Sequence, residues 1–192
     1  ILRCLVGSEM CIRDSGIDAK KLAWIMDLKN NRRGRIMEYA SEFDGVSFHE
    51  NEKPWSIKVD VALPCATQNE LNEEQAKQLV ENGCMAVAEG ANMPCTPEAI
   101  AMFQSRRVLF SPGKASNAGG VATSGLEMSQ NSLRFNWTSE EVDQKLHNIM
   151  LDIHKQCVNF GTQEDGYIDY VKGANIAGFV KVADAMIDQG IV

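Results

Sequence analysis

Three short stretches hold most of the side chains that could recognise a small molecule. They are Pro64-Cys65-Ala66-Thr67-Gln68-Asn69, Glu89-Gly90-Ala91-Asn92, and the run PGKASNAGGVATSGLEMSQN from Pro112 to Asn131. Each combines small residues with a carboxamide. A carboxamide both donates and accepts hydrogen bonds, so Gln68, Asn92 and Asn117 suit another amide or a ribose hydroxyl. Small neighbours let a flat ring approach the backbone. The third run has one lysine, no histidine and no aspartate. Its chemistry is therefore the holding of a ligand, with acid and base supplied from elsewhere. Asn and Gly also make ordinary turns and helix caps, which accounts for any one stretch alone. The same composition at three sites favours a ligand.

Other polar residues carry weaker signals. His147 and His154 stand two turns apart on one predicted helix, roughly 10 Å by the helical rise, too far to share a metal unaided. No metal site is expected. Cys65 reads as a small buried filler rather than a reactive thiol. Asp60 interrupts an apolar strand and needs a partner, for which a structural hydrogen bond is the simpler role. Lys114 is equally a contact for an anionic ligand or a solvated loop lysine. Ser124 has no His or Asp beside it in sequence, so a hydrogen-bond donor is a better reading than a nucleophile.

The elements that must position these residues follow from periodicity. DAKKLAWIMDLKN spaces Leu22, Ile25, Met26 and Lys29 as a helix, with Asp18 as N-cap. GRIMEYASEF is a second, short helix. SIKVDVALPCA alternates Ile57, Val59, Val61 and Leu63 and stops at Pro64, which is a strand pattern. Asn72 and Gln75 have the spacing of a capping box for a helix that closes at Gly83. MAVAEGA is a strand, Thr96-Pro97 opens a helix, and RVLFSPG is a third strand. This β-α-β-α-β order predicts a parallel sheet covered by helices. In such a sheet, ligands bind beyond the carboxyl ends of the strands, where all three amide-rich stretches fall. After residue 120 the chain reads as helices only. The longest opens on a Thr138–Glu141 capping box and carries one apolar stripe from Val142 to Phe160.

The chain has 192 residues, 44% of them hydrophobic. That suffices for one packed domain with a helical appendage. A net charge of -7 with no basic stripe argues against nucleic acid as a partner. The densest basic cluster, Lys29 to Arg35, reads as charges favoured at a helix C-terminus. No apolar run reaches the ~18–20 residues of a membrane span, so no membrane association is expected. ILRCLVGSEMCIRDS lacks the ordered regions of a signal peptide. Six cysteines without a CxxC or a regular framework fit a reduced, cytoplasmic compartment.

The strings LPCATQNEL, AEGANMPCTPEA, FSPGKASNAGGVATSGLEMSQN, LDIH and GANIAGFVKVADAM closely resemble the C-terminal part of hexameric glutamate dehydrogenases. The NADP-specific bacterial kind, within the Glu/Leu/Phe/Val dehydrogenases, is the most similar. The resemblance runs from about Gly16 to Val192. It implies a partial Rossmann-type sheet over residues 16–120 and a helical tail over 121–192 that returns toward a substrate domain. It also implies interconversion of L-glutamate and 2-oxoglutarate plus ammonia with NADP, NAD not being excluded, in a homohexamer. By the same resemblance Ala66, Thr67, Gln68, Asn92 and Asn117 line the ribose and nicotinamide, while Val121 and Ser124 contact substrate. The family's catalytic lysines and aspartate, and its glycine-rich pyrophosphate loop, have no counterpart here. Activity of this chain alone is therefore not expected, and one sheet edge should lack its partner. Residues 1–15 do not fit the family and read as a non-native, adapter-like segment. The small-residue run from Gly113 to Gly125 reads as a hinge for domain closure.

Overall fold

The computed structural model describes residues 4–6, 11–50 and 52–190. In chain order the first elements are β1 (Cys4–Val6), β2 (Cys11–Arg13), α1 (Ala19–Asp27), α2 (Met37–Glu42) and β3 (Ser47–His49). Then come β4 (Val61–Leu63), α3 (Glu73–Glu81), β5 (Ala86–Ala88), α4 (Pro97–Ser105) and β6 (Leu109–Ser111). The last four are α5 (Gly113–Ser116), α6 (Gly119–Leu133), α7 (Ser139–Gly161) and α8 (Tyr170–Gln189). Two compact units result: Gly7–Pro54, and Ile1–Val6 together with Trp55–Val192.

In the Gly7–Pro54 unit, α1 starts on an Asp18 side chain that accepts from the Lys21 N–H. β2 and β3 form an antiparallel pair. Trp24, Tyr39 and Phe43 make a ring cluster with centroids 4.8 to 5.8 Å apart. Asp14 gathers the Tyr39 hydroxyl and the Lys21 ammonium. Burial acts to raise the Asp14 pKa, but the hydrogen bonds from Tyr39, Lys21 and the Gly16 N–H outweigh it and hold the carboxyl below its ordinary value. A π-helical turn, Leu28–Arg32, continues α1 directly and carries Lys29 and Arg32 in its last turn, where the basic cluster was expected to lie. Arg32 pairs with Asp27 at 2.9 Å and lies over the Trp24 ring, so it has a local structural role.

The larger unit is built on a parallel sheet of order β1-β4-β5-β6. The predicted β-α-β-α-β succession runs from β4 to β6. Each connecting helix starts where a side chain satisfies its first N–H groups. Asn72 and Gln75 form the capping box of α3, and Thr96 caps α4 ahead of Pro97. The β4 edge expected to lack a partner pairs with β1, with Leu5 opposite Ala62. The strands are shorter than their apolar patterns. Although alternation starts at Ile57, the ladder covers only Val61–Leu63, the length its neighbours share. Trp55, Leu71, Leu79, Val87, Phe103 and Phe110 are the large members of the core. Burying each contributes about 1.5–3 kcal/mol. Phe103 and Phe110 stack with centroids 5.7 Å apart, joining α4 to β6.

The tail is helical, as expected. Tyr167 donates its hydroxyl to the Val108 carbonyl at 3.2 Å, and Gln104 donates to Asp169 at 3.2 Å. These bonds fix the α7–α8 turn beside the start of β6. Gly161 and Gly173 permit the close approach of α7 and α8; a Cβ on Gly173 would overlap the Cys157 carbonyl. The Val142–Phe160 stripe is half-buried or buried along its length because α6 and α8 both pack on α7. Most of the tail's large exposed apolar side chains lie on α6 (Val121, Met128, Leu133) and on α8 (Phe179, Val182, Met186, Ile187), with Leu151 exposed on α7. Among the described residues no helix is long and apolar enough to cross a membrane.

Candidate functional site

The loops leaving β4, β5 and β6 meet at one rim of the sheet. Parallel strands deliver their carboxyl ends to the same side, and main-chain bonds then lock the loops together. The Gly90 and Ala91 N–H groups donate to the Pro64 carbonyl at 2.9 and 3.1 Å. Asn69 N–H donates to Met93 and Leu71 N–H to Pro94, both at 3.0 Å. Asn69 and Met93 take left-handed backbone at φ 55° and 50°. Asn tolerates that conformation well, while Met adopts it at a cost of about 1–2 kcal/mol.

Two buried carboxylates brace these loops from below. Glu70, 6% exposed, accepts the Ala66 N–H at 2.8 Å. Glu89, 4% exposed, accepts the Gly113 N–H at 2.6 Å on Oε2 and the Cys95 N–H at 3.2 Å on Oε1. Its main-chain carbonyl accepts the Ser116 hydroxyl at 2.7 Å. Sequence reading noted Glu89 only as part of a strand tip and gave Glu70 no role. The available signal was an acidic residue between an apolar run and small residues. Burial pushes the Cys95 thiol pKa up, and the negative charges of Glu89 and Glu70 push it further. Cys95 is thus held as a thiol and is no nucleophile.

The structure joins Asn92 and Asn117. Asn117 Nδ2 donates to Asn92 Oδ1 at 2.8 Å and to the Ala91 carbonyl at 3.2 Å. This leaves one donor, Asn92 Nδ2, and one acceptor, Asn117 Oδ1, without a hydrogen-bond partner among the described residues. Ala66, Thr67 and Gln68 are exposed on the β4 loop, one connection away. Val121 and Ser124 lie one turn apart on α6, which begins just after Asn117, and both are exposed. Ser124 donates to the Gly120 carbonyl at 3.3 Å; among the described residues no hydrogen bond ties Val121 or Ser124 to the rim.

Several weaker candidates resolve. Lys114 bonds Asn175 on α8 at 2.6 Å. Cys65 is exposed rather than a buried filler, and its Sγ occupies the space a Cβ on Gly90 would need. His147 and His154 are exposed, and His154 stacks on Tyr170. Of the glycines in the third stretch, Gly113 is the constrained one. A Cβ there would sit 3.0 Å from the Ala91 carbonyl and 3.3 Å from Glu89 Oε2. Gly119 and Gly120 open α6 in helical backbone, where a Cβ on Gly119 meets only Leu146 at 4.0 Å and one on Gly120 meets nothing. Their geometry gives the expected hinge no special support.

As a donor set, the rim fits a neutral carboxamide on a flat ring. It presents one amide donor, one amide acceptor, a floor of small residues and no metal-binding cluster among the described residues.

A profile of the Glutamate/Leucine/Phenylalanine/Valine dehydrogenase family matches residues 6–190. The chain is 66% identical over 176 residues to an NAD(P)-specific glutamate dehydrogenase of Xylanibacter ruminicola, covering 92% of this chain and 39% of that protein. It is 58% identical over 185 residues to an NADP-specific glutamate dehydrogenase of Escherichia coli, covering 96% and 41%. The crystal structure of Plasmodium falciparum glutamate dehydrogenase superposes with a TM-score of 0.89 at 45% identity, covering 100% of this chain and 41% of that one. The chain thus spans about 40% of the length of the relatives it matches.

Proposed function

The chain belongs to the glutamate/leucine/phenylalanine/valine dehydrogenase family, and we propose that it forms the nicotinamide side of an enzyme interconverting L-glutamate and 2-oxoglutarate plus ammonia. The observation that carries this reading is the Asn117–Asn92 hydrogen bond, which aligns a donor and an acceptor across two neighbouring strand tips. Asn92 and Asn117 hold the carboxamide, while Ala66, Thr67 and Gln68 flank the ribose. Bound there, the nicotinamide ring supplies the hydride donor or acceptor. Val121 and Ser124 border the substrate, and Ser124 donates to its carboxylate. Glu70 and Glu89 are buried and hold main-chain N–H groups, and Lys114 is bonded to Asn175, so the proton transfers are proposed to fall to residues of the longer protein.

A nicotinamide cofactor is proposed, NADP before NAD; the relatives include NADP-specific, NAD(P)-specific and NAD-specific enzymes. The longer protein is proposed to be a cytoplasmic homohexamer. Residues 16–120 would belong to its cofactor domain, and residues 121–192 would return toward its substrate domain. The exposed apolar side chains of α6 and α8 support that return, since a surface of this kind usually meets another.

The test is to assay the full-length protein with glutamate or leucine and with NADP or NAD. Glutamate-dependent reduction of NADP is expected, with leucine turned over far more slowly. Replacing Ser124 by Ala should raise the KM for glutamate about 10- to 100-fold, the loss of one charge-assisted bond. Preference for leucine, or no effect of the substitution, would overturn the assignment.

A further inference from the structure

We propose that Glu89 is a positioning residue for hydride transfer: its buried carboxylate sets the separation of the β5 tip, which carries Asn92, from the α5 turn, which leads into Asn117. The inference rests on the nicotinamide reading above and deepens it. Glu89 grips α5 twice, through Oε2 on the Gly113 N–H at 2.6 Å and through its carbonyl on the Ser116 hydroxyl at 2.7 Å. On the other side, Oε1 takes the Cys95 N–H at 3.2 Å, fixing the far end of the β5 loop. Ala91 and Asn92, which receive the Asn117 amide, lie between those anchors. The contact between the two ligand-facing asparagines is thus rooted in one carboxylate.

The side-chain chemistry explains why that residue is an acid. A buried carboxylate is costly, and no described ion pair involves Glu89. A glutamine of the same shape has one acceptor oxygen and a donating nitrogen. It could accept from Gly113 or from Cys95, and would set a donor against the other. An aspartate is a methylene too short to span both. Only a glutamate accepts from both N–H groups at this length. Gly113 supports the same geometry from the opposite side, since a Cβ there presses on the Ala91 carbonyl and on Glu89 Oε2.

The experiment uses the full-length enzyme, with Glu89→Gln and Gly113→Ala as independent variants. Activity is expressed per folded active site, with thermal unfolding recorded alongside. Both variants are expected to raise the KM for the reduced cofactor about tenfold and to lower kcat by about ten- to a hundredfold, as misplacement on the order of 1 Å does. They should also enlarge the primary isotope effect seen with cofactor deuterated at the transferred position, because hydride transfer becomes rate-limiting. A merely structural residue would lower the amount of folded enzyme and leave KM and the isotope effect per site at wild-type values; that result overturns the proposal. Should Glu89→Gln fail to fold, Gly113→Ala decides alone; should neither fold, Glu89 is a folding residue and the proposal falls. A wild-type enzyme without glutamate-dependent turnover would sink the functional reading itself, whereas an active wild type with unmoved variants sinks only this inference.

Discussion

Asn117 uses its side-chain amide nitrogen for two bonds inside the protein, which leaves its oxygen without a hydrogen-bond partner among the described residues. Asn92 has the complementary arrangement, with its oxygen committed and its nitrogen turned outward. The two residues therefore differ in what their removal should do. Asn117→Ala deletes two internal bonds and should cost about 1–2 kcal/mol in urea unfolding, together with cofactor affinity. Asn92→Ala should weaken cofactor binding with a smaller loss of stability. Equal effects of the two on stability would contradict the assignment of their bonds. At this scale the sequence marks the carboxamides as hydrogen-bonding groups, because that chemistry is written in their type, and the bond between Asn117 and Asn92 is one such contact. It did not reveal Glu89 as a brace, because its partner Gly113 lies 24 residues away and no local spacing announces it. Cys65 was misjudged for a related reason: whether a loop cysteine faces inward depends on the neighbouring loop.

At the scale of elements, the legible features were those decided within a few residues. Asp18, Asn72, Thr96 and Thr138 cap the helices they were expected to cap, since a cap satisfies N–H groups two or three positions ahead. Strand length was not legible, because a ladder ends where its neighbours end. The crossing of α7 and α8 was also hidden. Nothing in the spacing of Gly161 and Gly173 shows that one helix will press on the other's backbone. Gly173→Ala should therefore destabilise the tail by about 1–3 kcal/mol or more, since a carbonyl rather than a flexible side chain blocks the new methyl. Thermal unfolding measures this. A melting temperature equal to wild type would show that the two helices separate at little cost.

At the scale of the whole molecule, the sheet acts as a device for bringing separate loops to one rim. Parallel strand order made that rim predictable before any coordinate, and the interlocked loops from Pro64 to Leu71 and from Glu89 to Cys95 realise it. The tail was legible as helical but not in its packing. The apolar stripe of α7 is covered by its neighbours, while α6 and α8 turn apolar side chains outward. Which face stays open depends on helix crossings, and periodicity alone does not record them.

The most direct test of the rim is a crystal structure of the full-length enzyme with its nicotinamide cofactor bound. The account predicts the carboxamide within about 2.7–3.2 Å of Asn92 Nδ2 or Asn117 Oδ1, with the ribose against Ala66, Thr67 and Gln68. A ring bound at another edge of the sheet, with both asparagines facing solvent, would contradict it.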